Sequence, residues 1–215
     1  TSQTRELTQT AVGDYVVLAQ QGDTFAGALA HGLASIRSAD DSTTVVASDM
    51  PDFNGFVPLG ADEGYLFTNW EWFPGGMSRL RLDRDGAAMT WSVDTSDIMM
   101  LDFGPWGTLA NCFGSVTPWG TPLTSEEWGG PANNLAATAA WNAPFGNDAV
   151  RAALQGYAGR FPNPYRYQWL VEITNPASAN PLPVKRYAMG RYFHENSVCM
   201  PDGKTCFMSE DDAFG

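Results

Sequence analysis

The sequence predicts an all-β fold, and three observations carry that prediction. Glycine (22) and proline (14) are plentiful while only 17% of the 215 residues are charged, a balance that favours short strands and turns over long helices. Short runs of β-branched and aromatic residues recur between turn formers. Two pairs of runs fold back across Asp-Gly dipeptides, at Asp85-Gly86 and Asp202-Gly203, as hairpins do. With 44% apolar and 13% aromatic residues the chain can bury a core in one large β domain or two small ones. Many strands and few helices suggest a propeller or a sandwich, although no clean repeat of about 40 residues marks a propeller.

Residues 1–12 are polar and read as an arm; residues 14–19 read as a first strand. Residues 22–34, rich in Gly and Ala, are open between a loop and a short helix, and residues 43–47 are strand-like. Residues 49–55 mix acids, an amide and turn formers. Their composition resembles a calcium loop without its spacing, and an ordinary turn is the better reading. A strand over 64–69 runs into Trp70-Glu71-Trp72-Phe73-Pro74, where one glutamate stands among aromatics. Buried, that charge needs a partner or a metal; exposed, it sits on an aromatic rim.

Residues 77–82 and 87–93 form the first hairpin, with Leu80 and Leu82 on an apolar face and Arg79, Arg81 and Asp83 on a charged one; residues 94–102 connect. A strand over 107–112 leads into the stretch 111–128, which holds a cysteine, two prolines and the adjacent acids Glu126 and Glu127. It reads as a strand ending at Cys112, a tight turn at Gly114-Ser115, an extended piece, and two acids at its end. A small helical insertion follows around 131–158, with helical spacing over 148–157 and Asn147 as its N-cap. Residues 167–173 are a strand with Tyr167, Trp169, Val171 and Ile173 on one side, and 184–189 are a further strand or its approach.

Twenty-four acids against 12 bases give a formal charge of -12 and a pI near 4.3. That charge argues against nucleic acid and anionic membranes as partners and is compatible with calcium, while solubility alone explains it equally well. No apolar run is long enough to span a bilayer, and the start at Thr1 without a signal-like region reads as a mature or trimmed chain. Counting outward from Asp202-Gly203 sets Cys199 opposite Cys206 on neighbouring strands. The pair reads as a disulfide in an exported protein, with two buried free thiols as the alternative. Cys112 is then the odd cysteine.

Glu71, Cys112, Glu126, Glu127, Glu195, Glu210 and Asp211 each stand at the end of a strand-like run, with His194 beside them. Gathered at one point, such carboxylates repel unless cations neutralise them. Oxygen ligands suit Ca²⁺ or Fe³⁺, and a thiolate favours a transition metal. The alternative is that Glu126-Glu127 and residues 210–212 are solvated turns. His194 is open between a ligand, an acid–base group and a core histidine that orients Glu195, the last favoured by its neighbour Phe193, and His31 reads as structural. Two histidines exclude a three-histidine zinc site within this chain. There is no Gly-x-Ser-x-Gly elbow and no Gly-rich phosphate loop followed by Lys and Ser/Thr.

Asn69-Trp70-Glu71, Gly75-Gly76-Met77-Ser78-Arg79, Asn111-Cys112, Thr117-Pro118-Trp119-Gly120-Thr121 with Glu126-Glu127, His194-Glu195 and Ser209-Glu210-Asp211, in this order, resemble the PhoX family. These are secreted bacterial alkaline phosphatases built on a β-propeller. The similarity begins before Phe53-Asn54-Gly55-Phe56 and extends to the last residues, and the Thr-Pro-Trp-Gly-Thr…Glu-Glu stretch is its most specific part. The resemblance implies a site of iron and calcium, with Cys112 at an iron pair and Glu127, Glu195, Glu210, Glu71 and Glu126 as acidic ligands. It implies hydrolysis of a phosphate monoester in the periplasm or outside the cell, by metal-activated oxygen attack. The chain departs from the family at Trp70, commonly His; at Ser115, commonly Gly; at Pro122, commonly Trp; and at Ser125, commonly Cys. Family members are much longer. Residues 1–215 are therefore expected to be a single domain, the N-terminal part of a six-bladed propeller completed by missing sequence or a partner chain. A non-catalytic, secreted, calcium-binding propeller with a structural or binding role is the competing expectation.

Overall fold

The computed structural model describes residues 15–127 and 148–210. They form a mostly β structure of antiparallel sheets with one α-helix. The strands are β1 (Ser35–Arg37), β2 (Thr44–Ala47), β3 (Pro51–Pro58), β4 (Glu63–Trp70), β5 (Gly76–Asp85) and β6 (Thr90–Met100). They continue with β7 (Asn111–Val116), β8 (Pro122–Glu126), β9 (Leu170–Thr174), β10 (Leu182–Lys185), β11 (His194–Cys199) and β12 (Cys206–Glu210). The helix α1 (Asp148–Ala158) lies between β8 and β9. Hydrogen bonding orders the larger sheets β3-β4-β5-β6 and β10-β9-β8-β7, beside the pairs β1-β2 and β11-β12.

The sheets stack so that the first strand of each meets the next: β7 packs against β3 on one side and β11 on the other. Phe53, Val57, Tyr65, Phe67 and Met77 of the β3–β6 sheet close on Val171 and Ile173 of β9. Each fully buried member, such as Phe67 or Ile173, contributes about 1.5–3 kcal/mol by leaving water. Leu123 and Leu170 continue the packing to Cys199. Val150 and Leu154 of α1 close on Leu109, Ala110 and Tyr167, just ahead of β7.

Several sequence expectations change here. Residues 15–20 form no strand, and Tyr15 and Val16 are exposed. The segment expected to turn at 49–55 enters β3 at Pro51, because Phe53, Gly55 and Val57 alternate inward and Asn54 to Pro58 pair with β4. The stretch 94–100 expected to connect prolongs β6. β7 begins at Asn111 and runs past Gly114-Ser115; the turn falls at Thr117–Thr121, where Thr117 N donates to Thr121 O (2.9 Å) and Gly120 takes φ +83°. The part of the expected helical insertion over 131–147, with its Asn147 cap, lies outside the described residues.

Arg79, expected on a charged outer face, is fully buried. An irregular β6 opposite Leu80 and Arg81 brings Asp97 to its guanidinium, and Tyr65 Oη donates to the same carboxylate (2.5 Å). The other end of Arg79 donates to Pro176 O (3.0 Å) and Ser178 O (2.6 Å), beyond β9. One cation thereby ties the two larger sheets together.

The Trp119 turn is fastened in a similar way. Trp119 Nε1 (2.8 Å) and Thr121 Oγ1 (2.5 Å) donate to Glu172 Oε1 on β9, and Arg186 Nε donates to Oε2 (2.7 Å). Burial opposes the Glu172 charge, but donation from Thr121, Trp119 and Arg186 outweighs it and holds the carboxyl below the usual glutamate range. Cys199 and Cys206 face each other in the β11–β12 register and are bonded, with S–S 1.98 Å.

Arg79→Ala strands a carboxylate and two carbonyls, and it is expected to lower stability by about 3 kcal/mol, read as a shifted urea midpoint. Glu172 has a depressed folded pKa, so its stabilisation is complete above the ordinary carboxyl range and is lost as pH falls through the folded value. Urea midpoints taken from neutral pH to below pH 4 are expected to fall less steeply in Glu172→Gln than in the parent protein.

Candidate metal centre

Three strands aim their second residue at one place. Asp52 is the second residue of β3, Cys112 of β7 and Glu195 of β11. Each lies where the register slips: between Pro51 and Asn54, between Asn111 and Gly114, and between His194 and Asn196. A β-bulge rotates a side chain out of the regular alternation, so the slips turn these three toward a shared point. Two more acids come from the first residues past the neighbouring strands, Glu71 after β4 and Glu127 after β8. Glu71 N donates to Met50 O (2.9 Å) and Glu127 N to Ala110 O (3.2 Å), which fixes both backbones.

The ligand-type atoms of Asp52, Glu71 and Cys112 lie within 4.8 Å of one another, and so do those of Cys112, Glu127 and Glu195. Cys112 belongs to both groups. Its Sγ donates to Asp52 Oδ2 (3.2 Å) and Glu195 Oε1 (3.6 Å). Burial pushes the Cys112 thiol far up, and the Glu127 and Asp52 carboxylates push it further. Burial also raises Glu71, with Asp52 and Glu195 adding to it, while a hydrogen bond from Glu127 opposes the rise. The charged forms of Cys112 and Glu71 are thus disfavoured by burial and by the carboxylates beside them, and a cation placed there reverses that sign.

The donor set fits a metal. Bonds of about 2.0–2.5 Å to sulfur, nitrogen or oxygen leave neighbouring ligand atoms about 3–5 Å apart, the spacing found here. Asn69 Oδ1, buried beside this cluster, has no protein hydrogen-bond partner among the described residues. Asn69 also sets the cluster's shape. It stands opposite the β3 slip, and its Nδ2 donates to the carbonyls of Cys112 and Phe113 in the β7 slip.

Other sequence candidates lie elsewhere. Glu126 is fully buried in an ion pair with Lys185 Nζ (2.9 and 3.0 Å), and it accepts from Leu109 N (3.0 Å) and Trp169 N (2.9 Å). Desolvation raises Glu126 and lowers Lys185, and their mutual contact opposes both shifts. Glu210 is exposed at the end of β12, opposite His194, and Asp211 lies outside the described residues. His194 is buried; its Nε2 donates to Gly190 O (3.1 Å), its ring stacks on Tyr192, and burial lowers its pKa. His31 is exposed. Trp70 packs with Leu33, Ala34, Leu80 and Leu82, and its Nε1 donates to Ser78 Oγ (2.9 Å). Asp52 was missed in the sequence; its signal was the alternation of Phe53, Gly55 and Val57 beneath a turn-like composition.

Residues 77–215 match the family described as alkaline phosphatase PhoX. The chain belongs to that family. The matched segment holds Cys112, Glu127 and Glu195, while Asp52 and Glu71 precede it. No curated protein and no solved structure matches the chain. Among the described residues no helix is long and apolar enough to cross a membrane.

The burial of Cys112 sets a simple expectation. In metal-free protein at pH 8, a thiol reagent is expected to label Cys112 only after unfolding. Rapid labelling of the folded chain would contradict the geometry.

Proposed function

We propose that this chain is the N-terminal part of a metal-dependent phosphomonoesterase of the PhoX kind. The convergence of Cys112, Asp52, Glu71, Glu127 and Glu195 from the ends of three sheets is the observation that carries this reading. Cys112 would hold iron, and the carboxylates would complete the shells of iron and calcium, since sulfur selects a transition metal and oxygen suits the harder ions. When bound, such cations supply charge for the phosphate oxygens and an activated oxygen nucleophile for in-line attack. The protein contributes by holding its ligands on rigid strand ends and by keeping the thiol as a ligand rather than a nucleophile. Glu126 is reassigned from ligand to structural anchor on its ion pair with Lys185. Glu210 joins the shell only if the end of β12 turns inward when cations bind.

In the propeller reading β3–β6 and β7–β10 are two blades and β11–β12 begins a third, with β3, β7 and β11 lining the axis. The contact of β7 with both β3 and β11 supports it. The ring then needs further blades, from additional sequence or a partner chain, and residues 1–215 are one domain within it. An exported location, periplasmic or extracellular, accords with the Cys199–Cys206 disulfide.

Elemental analysis joined to a chromogenic phosphate monoester assay tests the reading. Iron and calcium together, with turnover abolished by chelator, are expected of the protein bearing all its blades. Cys112→Ala is expected to remove iron and at least tenfold of the activity. Glu126→Gln is expected to lower stability while iron per folded molecule stays unchanged. Calcium without iron, and no turnover in the intact protein, would favour the non-catalytic calcium-binding module instead.

A further inference from the structure

We propose that Trp106, Arg160 and Arg166 form a binding site for phosphate groups, separate from the Cys112 cluster and independent of the function assigned to it. Trp106 closes the turn Gly104–Trp106, which two buried tyrosines hold still: Tyr167 Oη donates to Trp106 O (2.8 Å) and Tyr157 Oη to Gly104 O (2.8 Å). The Arg160 guanidinium carbon lies 4.1 Å from the Trp106 ring centroid and that of Arg166 lies 5.3 Å from it. Both arginines are exposed, and among the described residues neither pairs with a carboxylate. Arg37, Arg79, Arg81, Arg84 and Arg186 each do.

Two like charges on one ring repel, and the attraction of the half-buried indole for each is weak beside a full ion pair. The stack therefore orients the guanidiniums without neutralising them, and it leaves their N–H edges free. Along the sequence, residues 149–194 contain Arg151, Arg160, Arg166, Lys185, Arg186 and Arg191 against one acid, Glu172, in a chain of net charge -12. Arg186 already occupies that acid. Two carboxylates from outside that segment are already engaged: Asp102 accepts from Gly104 N (2.7 Å) and Glu126 pairs with Lys185. Arg191 adds a third positive charge to the segment, donating to Pro164 O (2.9 Å) and Tyr167 O (3.0 Å) on either side of Arg166. A planar guanidinium matches the oxygens of a phosphate in pairs, and a doubly charged group with several oxygens can answer two such forks where a single carboxylate cannot.

Free phosphates and phosphate-bearing lipid headgroups share this chemistry, and two arms separate them. Chelator-treated full chain, in which no cation can hold phosphate at Cys112, is titrated with pyrophosphate in a calorimeter at low salt. The same protein is sedimented with phosphatidylglycerol vesicles, using phosphatidylcholine as the reference. Binding is expected in at least one arm, weakening as salt rises and falling at least tenfold in R160Q/R166Q. Trp106→Leu, which keeps both charges but removes their support, is expected to weaken binding as well. Pyrophosphate binding would identify a soluble phosphate as the ligand, and vesicle binding alone a headgroup. Absence of binding in both arms, or binding unchanged in R160Q/R166Q with its fold intact by circular dichroism, would overturn the proposal.

Discussion

The buried carboxylate of Glu126 holds the centre of this structure in place. It accepts from Leu109 N ahead of β7, from Trp169 N ahead of β9, and from Lys185 at the end of β10. A buried charge is costly unless every lone pair is answered, and here a cation and two backbone donors answer it. The three segments it gathers are those that open or close the strands of one sheet. Cys112 follows Leu109 by three residues, and Glu127 is the next residue after Glu126. Glu126 therefore anchors the backbone segments that carry the candidate ligands.

Much of the sheet framework was legible in the sequence because strand pairing leaves local marks. The Asp85-Gly86 turn was readable: Asp85 Oδ1 accepts from Ala87 N (2.8 Å) and Ala88 N (3.0 Å), a use that favours Asp at that place. Cys199 opposite Cys206 followed from counting around Asp202-Gly203. Strand alternation failed for Arg79, because the sequence carries no mark of the irregular β6 that brings Asp97 to it. The Thr117–Thr121 motif read as part of an extended piece. It is a hairpin turn held by Thr117 and Thr121 and tied to Glu172, and it acts on the cluster by setting the β7–β8 register.

Glu126 and Glu127 show why ligands were harder to read than strands. Adjacent residues of a strand face opposite ways, so of two neighbouring acids one meets Lys185 in the interior and the other turns to Cys112. Nothing in the dipeptide says which. The choice is made by the β7 slip at Cys112 and Phe113, which is held in turn by Asn69 from a different sheet. Asp52 was obscured for the same reason: its direction depends on a slip, and a slip is a property of two paired strands.

The geometry also accounts for a repeat that the residues do not spell. Pro51, Asn111 and His194 open β3, β7 and β11 and stand opposite Trp70, Glu126 and Glu210, which close the paired strands. The three pairs share a place in the architecture but no chemistry, since one closing residue packs in a core, one is a buried ion and one is exposed. The residues one step further on, Asp52, Cys112 and Glu195 on β3, β7 and β11 and Glu71 and Glu127 past the paired strands, share direction. A search for similar residues at a fixed spacing finds no period, because the strands and loops between these places differ in length. What recurs is the slip of register at the second position of β3, β7 and β11. That constraint lets a thiol in one sheet and acids in two others occupy equivalent positions around one point.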